Sequence, residues 1–401
     1  MRILFTIQPA VGHFHPMVPL AHALEATGHE VVVAASAAFR PTVEASGLRC
    51  VTAGLDWLGS EGATAFPEGY DVFLRDGPEA GDLWAMEHCF AGETARRMVP
   101  DILTPARTWR PDLIVRDPVE FGGCVAAEVL GIPHAVAGFA LLQAREARAV
   151  WRRHVLPPLD ALRQDHGLPP DPEGAMLDRY LTLAFMPPAL PAPGDDVAPT
   201  FHFLRPVPFD RSGDDALPSW LDDLPTRPTV YATLGTVINR VPGAFDRILA
   251  ALAGDELTLI LTVGRNVDPA DFGAQPPNVH LERYIPQTVL LPRCDLIITH
   301  AGFNTAMAAL DAGLPVLATP LAADQFRNAA FLERLGVARV LTPDKCTPEK
   351  LRAMTWDMLA DPQYREAAAR QRAELATLPG LEDAVALLEQ LAAQKTPIMA
   401  A

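Results

Sequence analysis

The chain has 401 residues, of which 49% are hydrophobic and 20% charged, and its formal net charge is −16. That length allows two domains with separate cores, while the acidic balance excludes a nucleic-acid groove and binding to an anionic membrane surface. A bound diphosphate would have to be held by local donors, against the overall field.

The first half alternates short strand-like runs (Ile3–Ile7, Glu30–Ala35, Asp112–Arg116, His134–Gly138) with helix-like segments at Pro16–Thr27, Ala37–Ser46 and Phe121–Leu130. Val18, Leu20, Ala21, Ala23 and Leu24 give the first of these helices a broad apolar face, and Gly28 supplies a stop. Strands alternating with helices predict a parallel sheet covered on both faces. Gly54–Asp82 carries Trp57, Phe66, Tyr70 and Phe73 among glycines and acids, and is too long for an ordinary connection. Phe139–Gly167 is a long helical pattern with Arg145, Arg148, Trp151, Arg152 and Arg153. Trp57, Phe66, Phe139 and Trp151 are the candidate lining of an acceptor pocket.

From about Met186 to Pro228 the chain turns proline-rich and reads as a linker. The expected division is an N-terminal domain over 1–205, a linker over 206–228, a C-terminal domain over 229–378, and a last helix over 379–401 packing back on the first domain. The strand rhythm resumes at Thr229–Leu234, Leu257–Val263, Asn278–Leu281, Asp295–Thr299 and Pro315–Thr319. The expected fold class is therefore α/β: two Rossmann-like, doubly wound parallel-sheet domains facing a cleft, with ligands at the carboxyl ends of the strands.

Two constellations stand at such strand ends. Gly12-His13-Phe14-His15-Pro16 fills the turn after strand one, where a dinucleotide site would read Gly-x-Gly-x-x-Gly. His13 there is placed to act as a general base near neutral pH, or only to hydrogen-bond the turn. Asp117 ends a neighbouring strand, either to accept the second imidazole N–H of His13 or to cap the next helix. No third ligand completes a metal site with His13 and His15, and no Gly-x-Ser-x-Gly elbow supplies a nucleophile.

In the second half, His300-Ala-Gly302-Phe-Asn304-Thr305 follows an apolar strand and opens a helix. A helix start presents free N–H groups and partial positive charge to an anion such as phosphate. Gly302 admits a ligand to the backbone, and His300, Asn304 and Thr305 add donors. Gly235-Thr236, after the first strand of this half, is a weaker diphosphate contact. Asp324-Gln325, at another helix start, form an acid–amide pair suited to reading hydroxyls, or else a helix cap and a surface residue.

These motifs, with Tyr284-Ile285-Pro286-Gln287, resemble the GT-B-fold glycosyltransferases of the UDP-glucuronosyl/glucosyltransferase superfamily, and more closely its bacterial branch acting on antibiotics and other natural products. The resemblance spans essentially the whole chain. It implies His13 as base with Asp117 as partner, His300, Asn304 and Thr305 on the donor diphosphate, Tyr284 and the Ile285 backbone on the pyrimidine, and Asp324 and Gln325 on sugar hydroxyls. Gln287 falls within the same donor motif. The implied reaction is a metal-free displacement with inversion, using a nucleotide diphosphate sugar as co-substrate and no cofactor. UDP-sugar users of this superfamily often carry a Glu eight residues after the phosphate-binding His to grip the ribose. Here that position is Ala308, which favours a thymidine diphosphate sugar over UDP-glucose. The expected partners are this donor and a small hydrophobic acceptor, without nucleic acid or an integral membrane segment, and a homodimer is the assembly to test.

Five scattered cysteines (Cys50, Cys89, Cys124, Cys294, Cys346) form no Cys-x-x-Cys pair, so neither a disulfide framework nor a zinc knuckle is indicated. Met1–Gln8 is too short an apolar run for a signal peptide, and the expectation is a reduced, cytoplasmic protein. Two rival readings stay open: a nucleotide-sugar epimerase on a similar fold, and a catalytically inactive helper of a partner transferase.

Overall fold

The computed structural model describes residues 1–57, 66–139, 145–195, 197–210, 217–235, 243–265, 267–322 and 324–400. The chain divides into two compact units, Met1–Gly213 with Leu378–Ala401, and Asp214–Thr377.

In the first unit the strands are β1 (Arg2–Thr6), β2 (Glu30–Ala35), β3 (Cys50–Thr52), β4 (Leu113–Arg116), β5 (His134–Gly138), β6 (Thr182–Phe185) and β7 (Phe201–Leu204). They form a parallel sheet in the order β3-β2-β1-β4-β5-β6-β7. The order reverses at β1, so the loops after β1 and β4 leave the sheet side by side, where open α/β sheets place ligands. Alternate residues supply alternate faces. Ile3, Phe5, Val31 and Val33 join one apolar cluster, while Leu4, Ala34 and Ile114 join the other. Helix Val18–Ala26 covers the first face with Val18, Leu20, Ala21 and Leu24, and helix Leu381–Gln394 adds Ala384, Val385, Leu388 and Leu391 to the same cluster. Helices Ala95–Trp109, Gly122–Leu130 and Arg145–Asp165 cover the second face.

The second unit holds β8 (Thr229–Thr233), β9 (Thr258–Thr262), β10 (Val279–Glu282), β11 (Leu296–Thr299), β12 (Val316–Ala318) and β13 (Ala338–Val340), parallel in the order β10-β9-β8-β11-β12-β13. β8, β9 and β11 are buried at every position, the signature of strands covered on both faces. Here too the order reverses at the first strand, placing the turns after β8 and β11 together.

The structure adds four short strands to the sequence expectation, β3, β6, β7 and β13, and gives form to one irregular region. β7 lies inside the proline-rich stretch 186–228 and pairs in register with β6, which was itself not anticipated. Each has only four residues, and their strand character comes from the neighbouring strand rather than from local pattern. The irregular Gly54–Asp82 region contains helix Pro67–Asp76 and the start of helix Pro78–Trp84, each opened by a proline that suits the first helical turn. Residues 58–65 of that region lie outside the described residues. No described helix is long and apolar enough to cross a membrane.

Candidate active site

After β1 the backbone passes through Ala10 into a short helix, Val11–Phe14, which carries His13. The structure brings it to Asp117: His13 Nδ1 lies 2.5 Å from Asp117 Oδ2, 104 residues away in sequence. The carboxylate is fully buried, whereas about a fifth of the imidazole is exposed (21%). The other oxygen of Asp117 accepts the Val119 N–H at 2.8 Å, so this side chain both braces its own turn and holds the imidazole. With Nδ1–H donated to the carboxylate, Nε2 carries the lone pair.

The loop beneath Asp117 is fixed by groups the sequence reading did not single out. Buried Glu120 accepts the Thr6 hydroxyl at 2.5 Å and the N–H groups of Gly122 and Gly123 at 2.7 and 2.8 Å, capping helix Gly122–Leu130. Burial pushes its pKa up, against those donors. Arg116 is 2% exposed and donates to the carbonyls of Asp117, Pro118, Glu120 and Leu177.

Next to this pair the first unit contains a pocket enclosing about 510 Å³, its open mouth included. Its floor is a row of register partners across four strands, Arg116, Val136, Thr182 and Phe201. Phe139 and Trp151 line it, as does Phe121. Phe139 also meets His13 edge to face, with ring centroids 5.1 Å apart, so one ring borders both the pocket and the imidazole. The other two aromatic candidates are elsewhere. Trp57 is 7% exposed, donates its indole N–H to Gln8 at 3.0 Å, and packs edge-on against Phe66 and Phe90. Trp57 and Phe66 are thus not among the residues that line this pocket: the Trp57 indole is held inside by Gln8 and aromatic packing, and Phe66 is partly buried against it.

In the second unit, β11 ends at Thr299 and helix Phe303–Ala312 begins three residues beyond His300, with Gly302 at its N-cap. Ala301, fully buried, takes the left-handed conformation (φ 62°) that bends the turn. The His300 ring sits against two glycines: a Cβ on Gly235 would lie 2.6 Å from its Nε2, and one on Gly302 2.5 Å. Gly235 also has φ +78°. Both positions therefore exclude a side chain as long as the imidazole is in place. Burial pushes the His300 pKa down to about 4, partly opposed by a hydrogen bond with the Thr233 backbone, so the ring is neutral at physiological pH. Thr236 lies outside the described residues.

Thr305, 8% exposed on the first turn of this helix, accepts from Gln287 Nε2 at 3.4 Å. Ile285 is buried, and the guanidinium of Arg265 stands 4.1 Å over the Tyr284 ring. Asn304 is partly buried beside Thr305 on the helix start. Asp324 is exposed, while Gln325 is 5% exposed. The amide oxygen of Gln325 accepts the N–H groups of Leu321 and Ala322 at 2.8 and 3.0 Å, so it shapes its own loop. Buried Asn328 donates to the Asp324 carboxylate at 2.7 Å and to the Ala301 carbonyl at 3.0 Å. It ties the acid to the His300 turn, and its only sequence signal is the four-residue helical spacing from Asp324. Among the described residues no group of three or more His, Cys, Asp or Glu is arranged to hold a metal ion.

This architecture is shared with solved enzymes. The glycosyltransferase VinC, in a structure in complex with DTDP, matches 98% of this chain and 100% of its own with a TM-score of 0.80 at 28% identity. The protein is a GT-B glycosyltransferase of the bacterial natural-product branch. Family models for the erythromycin biosynthesis protein CIII-like N-terminal and C-terminal domains match residues 22–235 and 246–391, and the chain belongs to that family. Aclacinomycin-T 2-deoxy-L-fucose transferase of Streptomyces galilaeus is 31% identical over 98% of this chain and 97% of its own. The 10-deoxymethynolide desosaminyltransferase of Streptomyces venezuelae is 32% identical over 98% of each chain. Relatives of this kind are transferases, which favours transfer over the epimerase alternative.

Proposed function

We propose that the protein transfers a sugar from a thymidine diphosphate donor to a hydrophobic small-molecule natural-product acceptor, with inversion at the anomeric carbon. The observation that carries the mechanism is the 2.5 Å contact between His13 Nδ1 and buried Asp117. His13 Nε2 removes the proton of the acceptor nucleophile, which attacks the anomeric carbon as that carbon's bond to the diphosphate oxygen breaks. The thymidine diphosphate departs with the bonding electrons, and the proton stays on an imidazolium that Asp117 stabilises. The acceptor occupies the pocket bordered by Phe139 and Trp151.

The donor diphosphate is received by the turn after β11 and the first turn of helix Phe303–Ala312, with His300, Gly302, Asn304, Thr305 and Gly235 around it. Because His300 is neutral, it contributes a hydrogen bond rather than an ion pair. Tyr284 and the Ile285 backbone take the pyrimidine, with Arg265 sharing the tyrosine ring, and Gln287 steadies Thr305. Asp324 reads a sugar hydroxyl, and Gln325 holds the loop that presents it. Three points favour thymidine: position 308 is alanine where the resemblance associates a glutamate with UDP-sugar users, VinC was solved with DTDP, and one relative is named a TDP-daunosamine transferase.

The test is calorimetric titration with TDP and UDP side by side, joined to turnover of His13→Ala. TDP should bind more tightly than UDP. The variant should lose about 10²-fold or more in kcat with TDP affinity unchanged. Equal or tighter UDP binding would refute the donor assignment, and unaltered turnover would remove His13 from the mechanism.

A further inference from the structure

Two loops meet at the His13–Asp117 pair, and one buried side chain joins them. Gln8 stands on the loop after β1, a few residues before His13, and is 2% exposed. Its main chain belongs to the His13 loop: the Gln8 carbonyl accepts the Ala10 N–H at 2.8 Å, and the Ala10 carbonyl accepts the His13 N–H at 3.0 Å. Its side chain crosses to the Asp117 loop, where Nε2 donates to the Val119 carbonyl at 3.0 Å. The Val119 N–H in turn donates to Asp117 Oδ1 at 2.8 Å, and Asp117 Oδ2 meets His13 Nδ1 at 2.5 Å. Val119 is thus held from both sides, by Gln8 and by the carboxylate. The Gln8 amide has one orientation that satisfies both of its neighbours. The Trp57 indole N–H, which can only donate, bonds Gln8 Oε1 at 3.0 Å, while the Val119 carbonyl can only accept. Turning the amide over would set donor against donor and acceptor against acceptor. Trp57 is itself 7% exposed and packed edge-on by Phe66 and Phe90, so its N–H is a fixed point.

We propose that Gln8 is a positioning residue for the His13–Asp117 pair, and that Trp57 acts on the same pair through Gln8. The inference rests on the reading of His13 as the base and adds the groups that aim it. A carboxylate holds an imidazolium best through a short, well-aligned hydrogen bond. With Oδ1 tied to Val119, the plane of the Asp117 carboxylate follows that residue, and Val119 follows Gln8. Loss of the amide frees the Val119 carbonyl, loosens the carboxylate and weakens its grip on a protonated His13. Loss of the indole N–H leaves Gln8 Oε1 without its buried donor and lets the amide turn, with the same result in weaker form. Arg116 and Glu120, the charged residues on either side of Asp117 in sequence, bond to backbone groups and to Thr6, and these partners stay unchanged when Gln8 or Trp57 is replaced.

The test follows the His13 imidazole itself, by NMR titration of the full chain labelled at histidine, its signal assigned by its absence in His13→Ala. Gln8→Met keeps the length of the side chain and removes both hydrogen bonds. Trp57→Phe keeps an aromatic ring between Phe66 and Phe90 and removes the N–H. A weaker grip disfavours the charged ring, so the pKa of His13 should fall. Gln8→Met should lower it by about half a unit or more, and Trp57→Phe by less in the same direction. In the double variant the shift should equal that of Gln8→Met alone, because Trp57 reaches the pair through Gln8. Calorimetric TDP affinity should stay unchanged in all three. A His13 pKa unmoved in both single variants would overturn the proposal. So would additive shifts, which would mark Trp57 as acting by general loosening of the core. Should Gln8→Met not fold, Trp57→Phe alone decides: a lowered pKa at unchanged TDP affinity supports the relay, and an unmoved pKa overturns it. Full turnover in His13→Ala would remove the proposed mechanism, while the titration would still decide whether Gln8 and Trp57 hold the pair.

Discussion

Gly302→Ala separates the position of the His300 imidazole from every other property of the turn proposed to hold the donor. Gly302 has φ −59°, an ordinary value for alanine, so the substitution adds no backbone strain. Its new Cβ would lie 2.5 Å from His300 Nε2 and 3.1 Å from Cε1, which the ring can relieve only by rotating away. The fold should therefore keep its Tm to within a few degrees, while TDP loses the imidazole hydrogen bond. A bond to a charged group is worth about 1.5–3 kcal/mol, or roughly 10- to 100-fold in affinity. Gly235→Ala meets the same ring at 2.6 Å but adds a left-handed φ of +78°, so it should also lower stability, by about 1–2 kcal/mol. The decisive assay is calorimetric TDP affinity for Gly302→Ala in two backgrounds, the unmodified protein and His300→Ala. Once the ring is gone, the added methyl should have little left to displace. A penalty of the same size in both backgrounds would refute the argument that Gly302 serves His300.

Four further outcomes follow from the site. Asn328→Ala should lower Tm and weaken TDP binding several-fold, because it releases both Asp324 and the Ala301 carbonyl and leaves a buried acceptor unpaired; unchanged affinity would confine Asn328 to helix stability. The depressed pKa of His300 means that the unfolded chain binds more protons than the folded one between about pH 6.5 and 4. Its contribution to stability is thus present above pH 6.5 and lost as pH falls toward 4, and denaturant melts of His300→Gln across that window should show a shallower acid loss. Asp117→Asn should lower kcat with TDP affinity intact, since the amide no longer stabilises the imidazolium; equal loss in kcat and TDP affinity would point to misfolding of the loop instead. Ala308→Glu should shift donor preference toward UDP-sugars in competition assays, and an unchanged ratio would undercut the ribose argument.

Much of this protein was legible along the chain because its determinants are local. A parallel sheet covered on both faces demands apolar runs at β1, β2, β8, β9 and β11, and those runs stand out from the proline-punctuated loops between them. The turn proposed for the donor is equally local: His300, Gly302, Asn304 and Thr305 lie within six residues, and a helix start carries free N–H groups. His13 and Asp117 were readable as strand-end residues, because the end of a parallel strand is where such folds expose side chains. β3, β6, β7 and β13, of three or four residues each, were not legible, whereas β4, β11 and β12, equally short, carry apolar runs that mark them.

What the tertiary structure alone decided are the relations between distant positions. The order of residues marks Trp57 only as an aromatic in an irregular segment; that Gln8, 49 residues earlier, holds its N–H is a relation of the folded chain. Arg116, Val136, Thr182 and Phe201 become one pocket floor only through the registers of four parallel strands. The glycines at 235 and 302 look like separate turn residues, yet both are emptied by the same imidazole. Local propensity and hydrophobic period act between near neighbours and can be read from order alone. Register, burial and the pairing of buried polar groups are fixed by packing, which the order of residues does not display.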